Sequence, residues 1–150
     1  MRTITLTLLG ALALAGCSQG GGQLNKDDPK VKALVAELGP DYATADVVNG
    51  RAQFEQCRQC HTVVKDGPSM TGPNLYGVFG RAAAAKPNFN YSDALKASGI
   101  TWDAATLNKW ITEPRALVPN TRMSFPGMPD PANRRDVVAY LKVASSGGGN

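Results

Sequence analysis

Along this chain apolar residues recur at helical spacing, separated by stretches rich in glycine and proline, and no segment alternates in the manner of a strand. Val31, Leu34, Val35 and Leu38 form one short stripe that ends at Gly39-Pro40. Asp46 is placed to cap a helix running through Gly50, Phe54 and Cys57. "YSDALKASG" reads as a short helix closed by Gly99. Thr101 is the expected cap of the next helix. Asp103 stands in its first turn, Leu107, Trp110 and Ile111 form its stripe, and Pro114 stops it. Asp130 and Pro131 take the cap and first-turn positions of the last helix, whose inner face is Val137, Val138, Leu141 and Ala144. The expected domain is all-α and spans residues 46–146, with long irregular loops near 62–90 and 113–130.

The amino terminus follows other rules. "MRTITLTLLGALALAGC" opens with one arginine, continues apolar, and ends in small residues, which is the layout of an export signal. Its apolar run is shorter than the roughly 20 residues a spanning helix needs. Leu14-Ala15-Gly16-Cys17 resembles a bacterial lipobox, so residues 1–16 are expected as a lipoprotein signal and Cys17 as the lipidated first residue. More than one acyl chain gives lasting membrane attachment where a single chain does not. Residues 17–45 begin with "CSQGGGQLNKDDPK" and are expected as a lipid-anchored flexible tether, interrupted at most by the short helix. Stretched out, such a tether would reach about 90 Å. Residues 147–150 are expected as a disordered tail.

Composition narrows the partners. The formal charge is +4, mild for a chain of 150 residues. No dense basic cluster is present and aromatics do not interleave with basic residues, so nucleic acid is not an expected partner. A core of about 100 residues with 16 Gly and 10 Pro in the chain is modest. A bulky prosthetic group would supply part of its apolar interior.

Chemistry concentrates in "EQCRQCHTVV", residues 55–64, which holds Cys57, Cys60 and His61. His61 is the only histidine. Structural zinc wants four Cys/His ligands, and too few remain if Cys17 carries lipid. A redox disulfide suits an exported chain, but such motifs open a helix after a strand, and none precedes this one. C-x-x-C-H is also the attachment pattern for c-type haem. In it each thiol adds to a vinyl group, and the following imidazole lies under the iron. The export signal, the lack of other pairing cysteines and the all-α pattern favour haem. With no second histidine, the sixth ligand falls to a methionine. Met70 is close to His61 in sequence, whereas Met123 and Met128 lie in a proline-bounded loop distant enough to cross to the other face.

These features together resemble a class I c-type cytochrome, over about residues 48–145. The resemblance runs through "CRQCHTV", "TGPNLYGVFGR", "FNYSDALKASGITW", "VPNTRMSFPG" and "RRDVVAYLK". It implies the cytochrome c fold, helices and long loops wrapped around one covalent, thioether-linked haem c. It also implies that His61 and Met123 bind the iron and that the Pro73 carbonyl accepts from the imidazole. Tyr91, Trp102 and Arg81 match residues around the buried propionate. Phe125 matches the aromatic beside the exposed haem edge, and Gly50, Phe54 and Tyr140 match the crossing of the first and last helices. Leu95 stands where mitochondrial forms have asparagine, and Trp110 where they have a tyrosine that bonds the methionine sulfur. Arg58, Lys65, Lys86, Arg115 and Arg122 are candidate docking charges.

The activity so implied is one-electron transfer without a small-molecule substrate, not enzymatic catalysis. The expected setting is the periplasmic side of a bacterial membrane, between quinol–cytochrome c oxidoreductase and a terminal oxidase. An open-site haem enzyme would need Met123 to leave the iron, and no distal histidine is available to assist it.

Overall fold

The computed structural model describes residues 24–148. The expected signal at 1–16, the expected lipidation site Cys17, and the last two residues, Gly149 and Asn150, lie outside the described residues. Among the described residues six α-helices appear in chain order: α1 (Pro29–Ala36), α2 (Val47–Arg58), α3 (Asp93–Lys96), α4 (Ala104–Thr112), α5 (Pro114–Leu117) and α6 (Pro131–Ser145). A 3₁₀ turn, Pro40–Tyr42, joins α1 to α2. Among the described residues no strand forms. A single antiparallel bridge pairs Ala82 with Thr101.

The frame is the crossing of α2 and α6. Gly50 makes it possible, because a side chain there would collide with the Asp136 backbone and sit 2.8 Å from Tyr140 Cβ. One turn on, Phe54 packs against Tyr140 with ring centroids 5.2 Å apart. Val137, Val138, Ala139, Leu141 and Val143 are all buried, so α6 is apolar on most of its circumference, as a central helix should be.

One charged group sits inside this crossing. Asp136 is buried on α6. Its carboxylate accepts from the Asp46 backbone N–H at 3.0 Å and from Asn49 Nδ2 at 2.8 Å. Arg135 lies 3.0 Å from the same carboxylate. α6 thereby helps cap the start of α2 across the interface, and the buried carboxylate gains the partners it requires. The sequence pattern did not single out Asp136. Its signal is an acidic residue directly beside the apolar stripe in "RRDVVAYL".

Several expectations change in detail. Thr101 does not cap α4. Asp103 does, accepting from the Thr106 N–H at 2.7 Å, because Thr101 is drawn into the bridge with Ala82. Pro114 ends α4 and starts α5, so the loop at 113–130 contains a helical turn. Ser92 caps α3, and Gly99 leaves it at φ 66°, a conformation glycine adopts without strain. In the expected tail, Gly147 and Gly148 are wound onto the end of α6, with N–H groups donating to Ala144 and Val143.

The largest change concerns the expected tether. Its described part, residues 24–45, is docked on the domain rather than loose. Leu24, Val31 and Tyr42 are core residues, and Glu37 pairs with Lys142 of α6 at 2.7 Å. A stripe of four apolar residues looks weak in isolation, and it found a partner surface on α6.

The Asp103 cap yields a prediction. Its carboxyl is held below the usual 3.8, first by the hydrogen bond from the Thr106 N–H. Asp103→Ala should cost about 1 kcal/mol near neutral pH, read by urea unfolding. A lowered folded-state value means the stabilisation exists above the unfolded pKa and fades as pH falls through the folded one. The difference between parent and variant should therefore vanish in strong acid. A constant difference down to that range would contradict the capping role.

Candidate haem site

α2 carries Cys57 in its last turn and then unwinds, with the His61 N–H still bonded to the Cys57 carbonyl at 2.9 Å. This places two thiols and the imidazole at one helix end. His61 is half-buried, and its Nδ1–H donates to the Pro73 carbonyl at 2.7 Å. That bond leaves Nε2 as the free, lone-pair nitrogen. Burial lowers the His61 pKa against the opposing pull of Pro73, so the ring stays neutral, as a ligand must be.

Gly72 completes the cradle. A Cβ there would lie within 2.6–2.7 Å of the His61 ring nitrogens, tighter than any real contact. The Gly72 N–H donates to the Cys60 carbonyl at 2.8 Å, which pulls the "TGPN" stretch across the ring. Gly72→Ala should thus displace the imidazole. We expect a haem-loaded variant with weakened proximal ligation and a changed visible spectrum. An unaltered spectrum would show that the loop can yield.

Asn74 locks this loop from inside. It is fully buried. Its amide donates to Thr62 Oγ1 at 2.6 Å and to the Val64 carbonyl at 2.9 Å, and its Oδ1 accepts from the Tyr76 N–H at 3.0 Å. Sequence reasoning passed over Asn74. Only its position after Pro73 in "TGPNL" pointed to it. Arg81 donates to the Tyr76 carbonyl at 2.9 Å, so it braces the same loop.

The remaining candidates fall on other segments. Trp102 and Trp110 are buried and tilted against each other at 5.4 Å. Tyr91 is buried and packs edge-on against Phe89 at 4.8 Å. Desolvation raises its hydroxyl pKa, and the nearby Arg81 cation partly offsets this. Leu95 is also buried, so the position that mitochondrial forms fill with asparagine is apolar core here.

The three methionines among the described residues separate by environment. Met70 is exposed. Met128 is buried in the core, its N–H donating to the Ile111 carbonyl at 2.8 Å. Met123 and Phe125 are half-buried, packed at the margin of the core. Arg122, a candidate docking charge, instead donates to the carbonyls of Asn90 and Tyr91 at 2.9 and 3.1 Å. It latches the Met123 loop to the Tyr91 segment. Arg58 is paired with Glu55, whereas Lys65, Lys86 and Arg115 form no salt bridge among the described residues.

The donor set discriminates between the three chemistries. Cys57 and Cys60 are both free thiols. Burial, and secondarily Cys60, push the Cys57 thiol up to about 11, opposite to a reactive redox cysteine. Among the described residues no three His, Cys, Asp or Glu side chains converge on a metal-sized point, so a zinc cage does not fit. Two unpaired thiols beside an imidazole whose Nε2 is free do fit a covalent haem.

Fold and site define a c-type cytochrome. The cytochrome c family profile matches residues 47–145, and the chain belongs to that family. As a member it carries one covalently bound haem c and passes electrons rather than transforming a substrate. It is 47% identical to cytochrome c2 of Rhodomicrobium vannielii over 100 residues, covering 67% of this chain and 80% of the relative. A cytochrome c homolog of Bradyrhizobium diazoefficiens is 41% identical over 128 residues, 85% of this chain and 65% of the relative, a match that extends into the amino-terminal segment. Among solved structures, cytochrome cH from Methylobacterium extorquens superposes with a TM-score of 0.61 at 43% identity, covering 66% of this chain and 99% of its own.

Proposed function

We propose that this cytochrome is a lipid-anchored, one-electron carrier on the periplasmic side of a bacterial membrane. In this reading it takes electrons from quinol–cytochrome c oxidoreductase and delivers them to a terminal oxidase. When haem is bound, Cys57 and Cys60 would form the thioethers, and His61 and Met123 would hold the iron. Tyr91, Trp102 and Arg81 surround a propionate, while Trp110 and Phe125 line the pocket. The bound haem supplies an Fe(III)/Fe(II) couple, whose potential nitrogen–sulfur ligation raises relative to two nitrogens. The observation that carries the reading is the His61–Pro73 bond behind Gly72, directly after two unpaired thiols.

The protein's own contribution is rigidity and exclusion of water. Pro73 fixes the imidazole tautomer, Asn74 and Arg81 hold the proximal loop, and Arg122 holds the Met123 loop. With His61 and Met123 both committed to the iron, the chain would leave no open place there for a substrate, and the haem would supply one-electron chemistry only. Lys65, Lys86 and Arg115 favour weak, fast docking to acidic partners.

Among the described residues no helix is long and apolar enough to cross a membrane, so the anchor in this reading is Cys17. A pyridine haemochrome spectrum together with the intact mass of the mature protein tests both claims. We expect two thioethers and acyl mass on Cys17. A dissociable pigment would refute the haem linkage, and an unacylated mature terminus would refute the anchor. Stopped-flow oxidation by membranes should slow as salt is added, and a salt-independent rate would refute charge-guided docking.

A further inference from the structure

The amino-terminal segment does more than connect. α1 has eight residues, too short to persist as a helix alone in water, where roughly 12–15 are needed. Its helicity therefore depends on the domain. Val31 is 4% exposed, and Leu34 sits beside Val143 with Gly148 between them. Lys142, which pairs with Glu37, also lies 5.4 Å over the Phe79 ring. Further on, the Tyr42 hydroxyl donates to the Ala104 carbonyl at 3.2 Å, at the start of α4. Leu38 and Glu37 border a cleft of about 420 Å³ whose far wall includes Phe79 and Trp102. The segment thus grips the end of α6 and the start of α4 in succession.

This changes how far the domain can stand from a membrane. Seven residue steps separate Cys17 from buried Leu24. Fully extended they reach about 25 Å. A domain of this size is roughly 35 Å across. If the chain leaves the domain at Leu24 and ends in a lipid at Cys17, Leu24 cannot be on the side away from the bilayer, because the leash would be too short.

We infer that residues 24–45 are a clasp that shortens the leash and turns the side of the domain from which Leu24 emerges toward the membrane surface. The orientation rests on the anchor proposed above; the clasp does not. It keeps the side opposite Leu24 from facing the bilayer and so leaves that side open to redox partners. A freely jointed segment of this length would instead let the domain tumble.

Hydrogen exchange on the haem-loaded full-length protein tests the clasp. The amides of α1 should be protected in the parent. Val31→Asp should accelerate them on the order of 100-fold, because it places a charge in a buried apolar site. Glu37→Lys should accelerate them a few-fold, and Glu37→Lys with Lys142→Glu should restore them. The visible haem spectrum should not move in any variant, which separates undocking from unfolding. Free-peptide exchange of α1 in the parent would overturn the clasp.

Neutron reflectometry of the lipidated protein on a supported bilayer tests the leash. Protein density should be confined within about 60 Å of the headgroups. Density out to about 120 Å would overturn the short leash. Protected α1 amides with an unacylated Cys17 would uphold the clasp and refute only the anchor reading.

Discussion

Met123→Ala should abolish the far-red sulfur-to-ferric-iron charge-transfer band and lower the reduction potential, while Met128→Ala should leave both in place. The contrast is between two methionines five residues apart in one loop. Met128 is 6% exposed and packed in the core between α4 and α6, where a thioether fills space. Truncating it should cost about 2–5 kcal/mol of stability, the usual range for a buried methionine. Met123 is only half-buried, so its truncation removes less packing. The two variants should therefore split, one losing ligation and the other losing stability. Ferric absorption and urea unfolding of the same preparations read both. If Met128→Ala loses the band and Met123→Ala keeps it, the ligand assignment is wrong.

Gly50→Ala should destabilise the domain strongly. Two effects compete. Alanine gains about 1 kcal/mol over glycine as a helix former. Against it, the added Cβ would meet the Asp136 carbonyl group, with its carbon at 2.6 Å, and Tyr140 Cβ at 2.8 Å. These are backbone and near-backbone atoms of α6 and cannot swing aside. Relief requires α2 and α6 to separate, which also lengthens the bonds from Asp46 and Asn49 to the buried Asp136 carboxylate. Overpacking commonly costs about 1–3 kcal/mol, at the upper end where nothing yields, so the clash should win over the alanine gain, with a net loss of about 2 kcal/mol. For a domain whose total stability is on the order of 5–15 kcal/mol, that is a large fraction. The midpoint of urea unfolding of the haem-loaded protein checks it, and a midpoint within error of the parent would show that the crossing is looser than its geometry.

Much of this was legible in order along the chain, because the relevant physics is local. C-x-x-C-H puts two thiols and an imidazole at one helix end whatever surrounds them. Asp46 and Asp130 start helices through bonds that reach only two or three residues ahead, Pro131 suits the first turn by its fixed φ, and the Val137–Ala144 stripe declares its buried face by spacing. Thr101 misled for a related reason. It and Asp103 are both competent caps at neighbouring positions, and the choice was made by Ala82, nineteen residues earlier in the chain.

The sequence by itself determined that a helical domain with a thiol–thiol–imidazole end would form, and that its motifs are those of a c-type cytochrome. Only the tertiary structure decided that Met128 belongs to the core, that Arg122 is a latch rather than a free charge, that Asp136 caps the opposite helix, and that residues 24–45 are docked. Each of those outcomes depends on atoms brought together from distant positions, 31 apart for Arg122 with Tyr91 and 105 apart for Glu37 with Lys142. Burial and charge pairing are properties of the meeting, and no window along the chain contains both sides of it.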